Sequence, residues 1–208
     1  MGALDFDDEY VLDPDTLIVP ESPAHRAVTE LIAAAAIHGF GGRHECYRSM
    51  NWYPTDGGNP VAPDILVLSA GVLPTGARSY RQRDVAGPLP EVVLEVPSER
   101  DGYGSFRAKL RRFQRLGVPA YIVEVEGELA VRRLDPHDRE PVPWEGRPMP
   151  ELADVSVEID GEQFVVRTTD GVAARSDQPF AEALAATMQA RIDALAAQVR
   201  ALGGEPTG

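Results

Sequence analysis

Apolar positions recur along this chain with two spacings, and the switch between them marks out the elements. Val28, Leu31, Ile32 and Ala35 stand three or four apart behind Ser22-Pro23. Serine caps a helix and proline is tolerated at its first position, so a helix is predicted here, with Gly39 as its stop. A second helix is predicted over residues 105–116, with Phe106, Leu110 and Phe113 on one face and Gly117 behind it. Three stretches read as strands: Cys46 to Tyr53, Asp64-Ile65-Leu66-Val67-Leu68, and Glu91-Val92-Val93-Leu94-Glu95-Val96. The cluster Asp56-Gly57-Gly58-Asn59-Pro60 is a turn, and a Gly/Arg-rich loop runs from Gly71 to Gly87. Tyr121–Val125 and Leu129–Leu134 predict one hairpin around Gly127, and Val155–Ile159 with Gln163–Arg167 a second across Asp160-Gly161. The first twenty residues are acidic and irregular, with short extended pieces around Tyr10–Leu12 and Thr16–Val19.

A third pattern closes the chain. Leu184, Met188, Ile192, Leu195, Val199 and Leu202 form one stripe over residues 180–202, and its last four steps alternate four and three, as in a coiled coil. Such a helix is about 35 Å long at its ordinary rise. That length and its many alanines suit helix-on-helix packing, and a homodimer through this segment is expected. The division that follows is a domain over residues 1–172 and a C-terminal helix over 178–203.

Composition narrows the possibilities. The 208 residues are 43% apolar and 25% charged, ordinary for a globular protein. Cys46 is the one cysteine, which excludes an internal disulfide and a four-thiolate zinc site. No apolar run approaches the length of a membrane helix, and the stretch Met1–Tyr10 is acidic, unlike a leader; a cytoplasmic location is expected. The net charge of −13 argues against tight non-specific binding of nucleic acid, yet leaves room for a local basic groove. Arg78, Arg81 and Arg83, with Tyr80 among them, form a basic loop that could contact DNA, although such runs are more often solvated. Nineteen of the twenty basic residues are arginine, and the only lysine is Lys109. An ammonium is a compact charge with a tunable pKa, whereas a guanidinium is planar and stays protonated.

Two carboxylates stand out. Asp64 opens a strand directly after Pro63, and Glu95 lies inside Val-Val-Leu-Glu-Val. A charge in so apolar a run is costly to bury unless it is compensated, and a divalent cation is one compensation. An edge strand with Glu91 and Glu95 facing water is the plainer alternative. Lys109 follows on the next helix, beside Phe106 and Phe113, from where its stem can carry the ammonium toward the strand ends. His25 lies in the first turn of the first helix and is a possible accessory, though a structural or solvent-facing role is the more ordinary one for it. His44 and Cys46 lack a second ligand pair and read as strand residues.

Pro63-Asp64 followed by Glu95 on a second strand resembles the PD-(D/E)xK phosphodiesterase superfamily. Its usual lysine position, two beyond the second carboxylate, is here Pro97. The stretch from Pro90 to Tyr121 is similar to the Uma-two family of restriction-endonuclease-like bacterial proteins, in which the lysine has moved to the following helix. Glu95-Val96-Pro97-Ser98, Lys109 and Gly117-Val118-Pro119-Ala120-Tyr121 carry that likeness, and Ser22-Pro23-Ala24-His25 fits it. It spans roughly residues 17–134. Ser105 stands where the family usually has Asp, with Asp101 nearby but out of register, and Ile122 and Val125 replace the Trp and Asp expected after Tyr121.

The resemblance implies an α/β fold: a restriction-endonuclease-like core with a central mixed β-sheet flanked by helices, here followed by the long C-terminal helix. It implies a metal-dependent endonuclease acting on DNA. Asp64, Glu95 and the carbonyl of Val96 would hold Mg²⁺ or Mn²⁺, Lys109 would assist the water, and Glu91, His25 and Asp101 are accessory candidates. The alternative is a catalytically weak or inactive nuclease-fold protein acting as a dimeric interaction module. A weaker third reading has RNA or a nucleotide as substrate.

Overall fold

The computed structural model describes residues 22–97 and 103–202. The extended pieces expected near Tyr10 and Thr16, and the accessory candidate Asp101, lie outside these residues. Among the described residues four α-helices, α1 (Pro23–Phe40), α2 (Gln82–Val85), α3 (Tyr103–Leu116) and α4 (Phe180–Ala201), are interspersed with twelve strands. The strands are β1 (His44–Arg48), β2 (Asn51–Trp52), β3 (Ile65–Ser69), β4 (Ser79–Tyr80), β5 (Val92–Glu95) and β6 (Ala120–Glu124). They continue with β7 (Ala130–Leu134), β8 (Val142–Pro143), β9 (Pro148–Met149), β10 (Val155–Asp160), β11 (Gln163–Arg167) and β12 (Ala173–Arg175).

The central sheet is mixed, in the order β1-β3-β5-β6-β7-β8. Only β5 and β6 run parallel, and α3 makes their crossover, as a parallel pair requires. A second, antiparallel sheet of order β12-β11-β10-β9 contains the predicted 155–167 hairpin. Alternation along the central strands supplies two cores. On one face Ile65, Val67, Val92 and Leu94 pack with α1 (Val28, Leu31, Ile32, Ala35) and with Val155, Val157 and Val166 of the second sheet. On the other, Leu66, Leu68, Val93 and Ile122 meet Leu110 and Phe113 of α3, together with Trp52 and Tyr80 of the small β2–β4 pair. The strand β5 is therefore interior, which removes the edge-strand alternative for Glu95.

Two expected boundaries are corrected. Helix α1 ends not at Gly39 but at Gly41, which takes the left-handed conformation (φ 56°). A Cβ on Gly39 would lie 2.7 Å from the Ala153 Cβ, so this glycine admits a close neighbour inside the helix. The strand expected over Cys46–Tyr53 is broken in two, because Ser49 has φ 49° and turns the chain between β1 and β2. Ser49 then donates its N–H to the Asp64 carbonyl at 3.1 Å, which ties the break to the start of β3.

Candidate active site

The first residue of the site is set by the antiparallel ladder between β3 and β5. Its register pairs Ile65 with Leu94, and one step further brings Asp64 opposite Glu95. The start of β3 and the end of β5 thus share one end of the sheet. Alternation sends Glu95 to the same side as Val93, toward α3. It is 3% exposed, deep enough that an uncompensated carboxylate would cost several kcal/mol.

The compensation comes from α3. Lys109 Nζ lies 2.7 Å from Glu95 Oε2 and donates a second hydrogen bond, 2.9 Å, to the carbonyl of Ala62. That carbonyl stands two residues before Asp64, so one ammonium joins Glu95 to the segment presenting the other carboxylate. Arg112, one turn further along α3, binds the same segment by a two-point contact to Asp56, 2.9 Å at each nitrogen. This guanidinium holds the Asp56 carboxyl below its ordinary range.

Asp64 is fixed from two directions. The Val96 N–H donates to its Oδ2 at 2.6 Å, and the imidazole Nε2 of His25 lies 3.1 Å from its Oδ1. His25 is 7% exposed, and its position follows from the cap of α1, where its N–H donates to Ser22 Oγ at 3.1 Å. The backbone carbonyl of His25 accepts from Thr29 Oγ1 at 2.9 Å. The ordinary solvent-facing reading of His25 is thereby corrected: the imidazole is buried against Asp64.

The structure therefore brings Asp64, Glu95, Val96, Lys109 and His25 together at one sheet end. It does not bring Glu91 with them. Glu91 precedes β5 at the opposite end, is exposed, and accepts from the Ser69 hydroxyl at 2.8 Å. Arg81 and Arg83 stack over the Tyr53 ring, 4.9 and 5.3 Å from its centroid, and both pair with Asp84. Arg78 is exposed on the same loop. Cys46 is a strand residue, with burial pushing its thiol up to about 12. Sequence reasoning missed the Ala62 carbonyl and the Val96 N–H, since backbone groups leave no mark in residue identity. It also missed an open hollow of about 300 Å³ lined by Arg26, Thr29, Glu30, Arg48 and Ser49. The hydrogen bond from the Ser49 N–H to the Asp64 carbonyl sets this hollow next to the site.

Among the described residues no group of three or more His, Cys, Asp or Glu side chains is arranged to hold a metal ion. Two oxygen-bearing carboxylates at one strand end are still a fitting set for Mg²⁺ or Mn²⁺, hard cations that keep several waters and need only one or two protein carboxylates. No helix of the described residues is long and apolar enough to cross a membrane.

Residues 6–160 match the family model described as "Uma2: Putative restriction endonuclease". No curated protein matches. A solved structure described as a "putative nuclease belonging to DUF820 from Anabaena variabilis ATCC 29413" is similar at 13% identity and a TM-score of 0.48, covering 62% of this chain and 74% of that one. The family match spans well over half of the 208 residues, and the chain belongs to the Uma2 family of restriction-endonuclease-like proteins.

Proposed function

We propose that this protein is a metal-dependent endonuclease that hydrolyses DNA phosphodiester bonds. The observation that carries the reading is the meeting of Asp64 and Glu95 at one sheet end, with the Lys109 ammonium 2.7 Å from Glu95. Asp64, Glu95 and the carbonyl of Val96 would hold Mg²⁺ or Mn²⁺. When bound, the ion supplies Lewis-acid polarisation of a phosphoryl oxygen and a more acidic water. The chain's own groups do the rest. Lys109 presents a positive charge where negative charge grows on phosphorus and pairs with the Glu95 carboxylate. The Val96 N–H and His25 hold the Asp64 carboxylate in one orientation, and Ala62 fixes the ammonium on its other side.

Mn²⁺-dependent cleavage of supercoiled and single-stranded DNA tests the proposal. Wild type is expected to cut, while Asp64→Ala and Glu95→Gln lose at least about 10²-fold in rate and keep the wild-type circular dichroism spectrum. Full activity in Glu95→Gln would sink the site assignment.

A second reading, a dimeric interaction protein that keeps the fold without the activity, rests on a separate observation. The α4 stripe is exposed, with Met188 and Ile192 each at 56% and Leu195 at 61%. Such a stripe is what a second helix would cover.

A further inference from the structure

A hollow of about 350 Å³ opens between α3 and the strands β6 and β7. Its floor is apolar, formed by Phe106 and Leu110 of α3 with Ile122 and Leu134 of the sheet. The register places it beside the candidate site. Glu95 pairs with Ile122, and Ile122 with Arg132. Neighbouring strands are about 4.8 Å apart, so the floor begins one strand from Glu95 and Arg132 stands two strands away. Pro97, two residues beyond Glu95, closes the near side.

The rim is basic in an acidic protein. Arg107, Arg111, Arg132 and Arg139 line it against Glu124 and Glu140, a local excess of positive charge in a chain of net charge −13. Arg107 is engaged by Glu140 at 2.8 Å and Arg132 by Glu124 at 3.5 Å. Arg111 and Arg139 are exposed and make no ion pair with another described residue. An apolar floor with one aromatic ring and a guanidinium rim matches a nucleotide: a flat base below and phosphate above. A base paired inside a duplex cannot reach such a floor without leaving the stack.

We propose that this hollow seats one unpaired deoxynucleotide beside the scissile phosphate, which makes a single-stranded or splayed DNA strand the substrate class. The inference rests on the nuclease reading for its placement next to the cut. The small number of available arginines explains how an acidic protein binds a polyanion, through a short site and not a long basic groove. With about two phosphate contacts, the logarithm of affinity should fall with the logarithm of salt at a slope of about −1.4.

Fluorescence anisotropy with the full chain in chelator, where no cutting occurs, tests it. The probes are a labelled oligothymidylate, its duplex with oligodeoxyadenylate, and the same single strand carrying abasic sites. Wild type is expected to bind the single strand about tenfold more tightly than the duplex or the abasic strand, the magnitude of one stacked base. The Arg111→Glu/Arg139→Glu variant, both changes being on exposed positions, should lose about tenfold for the single strand. Equal affinity for single strand and duplex, or an unchanged double variant, overturns the inference. Cleavage assays on the same probes separate it from the reading beneath it. Cutting without single-strand preference defeats the hollow and leaves the nuclease, whereas selective binding without any cutting defeats the nuclease and leaves the hollow.

Discussion

At the scale of single residues, the position that decides most is Lys109. Its ammonium serves a carboxylate that is 3% exposed and a backbone carbonyl at once. Removing the partner of a buried charge costs about 3–5 kcal/mol, so Lys109→Ala would mix loss of function with loss of fold. Lys109→Arg separates them. It keeps the charge beside Glu95, but its planar, bulkier head does not reproduce a compact charge shared between Glu95 and Ala62. The expected outcome is a melting temperature close to wild type with cleavage lowered by about 10²-fold or more; cleavage at the wild-type rate would show that only a positive charge is needed. That a lone lysine in an arginine-rich chain stands here was legible in the sequence, as were Asp64 and Glu95 in their strands. His25 was harder to place. Its ring meets Asp64 only because the first turn of α1 ends against the start of β3, a tertiary fact that local spacing does not carry.

At the scale of elements, α3 does two jobs. Its apolar face closes one core, and its polar edge grips the 56–62 segment through Arg112 and Lys109. This grip holds Pro63-Asp64 in place, so acid should loosen it. The Asp56 carboxyl is held below its ordinary value by Arg112, and a depressed folded pKa contributes stability above the unfolded pKa of about 3.9 that is lost as pH falls through the folded value. Thermal unfolding of wild type and Asp56→Asn at several pH values checks this. Wild type should be the more stable above about pH 4, with the gap narrowing below it; a gap independent of pH would assign the effect to packing. Helices and long strands were readable because their periods are regular. The short pieces β4, β8, β9 and β12 were not, since two or three residues pair through their neighbours' backbone and carry no period of their own. The break at Ser49 escaped for a related reason: a serine at φ 49° is a conformation no composition rule predicts.

At the scale of the whole molecule, α4 begins inside the fold and continues beyond it. Phe180 and Ala183 are buried with the α1 core, while Met188, Ile192, Leu195 and Leu202 are exposed. A deletion meant to probe dimerisation must therefore start after the first two turns and not at Phe180. Removing residues 188–208 is expected to leave the melting transition in place while light scattering shifts from dimer to monomer. A monomer in both chains would remove the interaction reading, and a collapsed transition would show that the outer helix supports the domain. The solitary lysine has one more consequence, an analytical one. Reductive methylation with isotope-labelled formaldehyde keeps the positive charge and marks every side-chain amine, which in this chain means Lys109 alone. Apart from the signal of the N-terminal α-amine, a single methyl resonance would then report on the space between Glu95 and Ala62, giving a direct view of the site in solution without a single mutation.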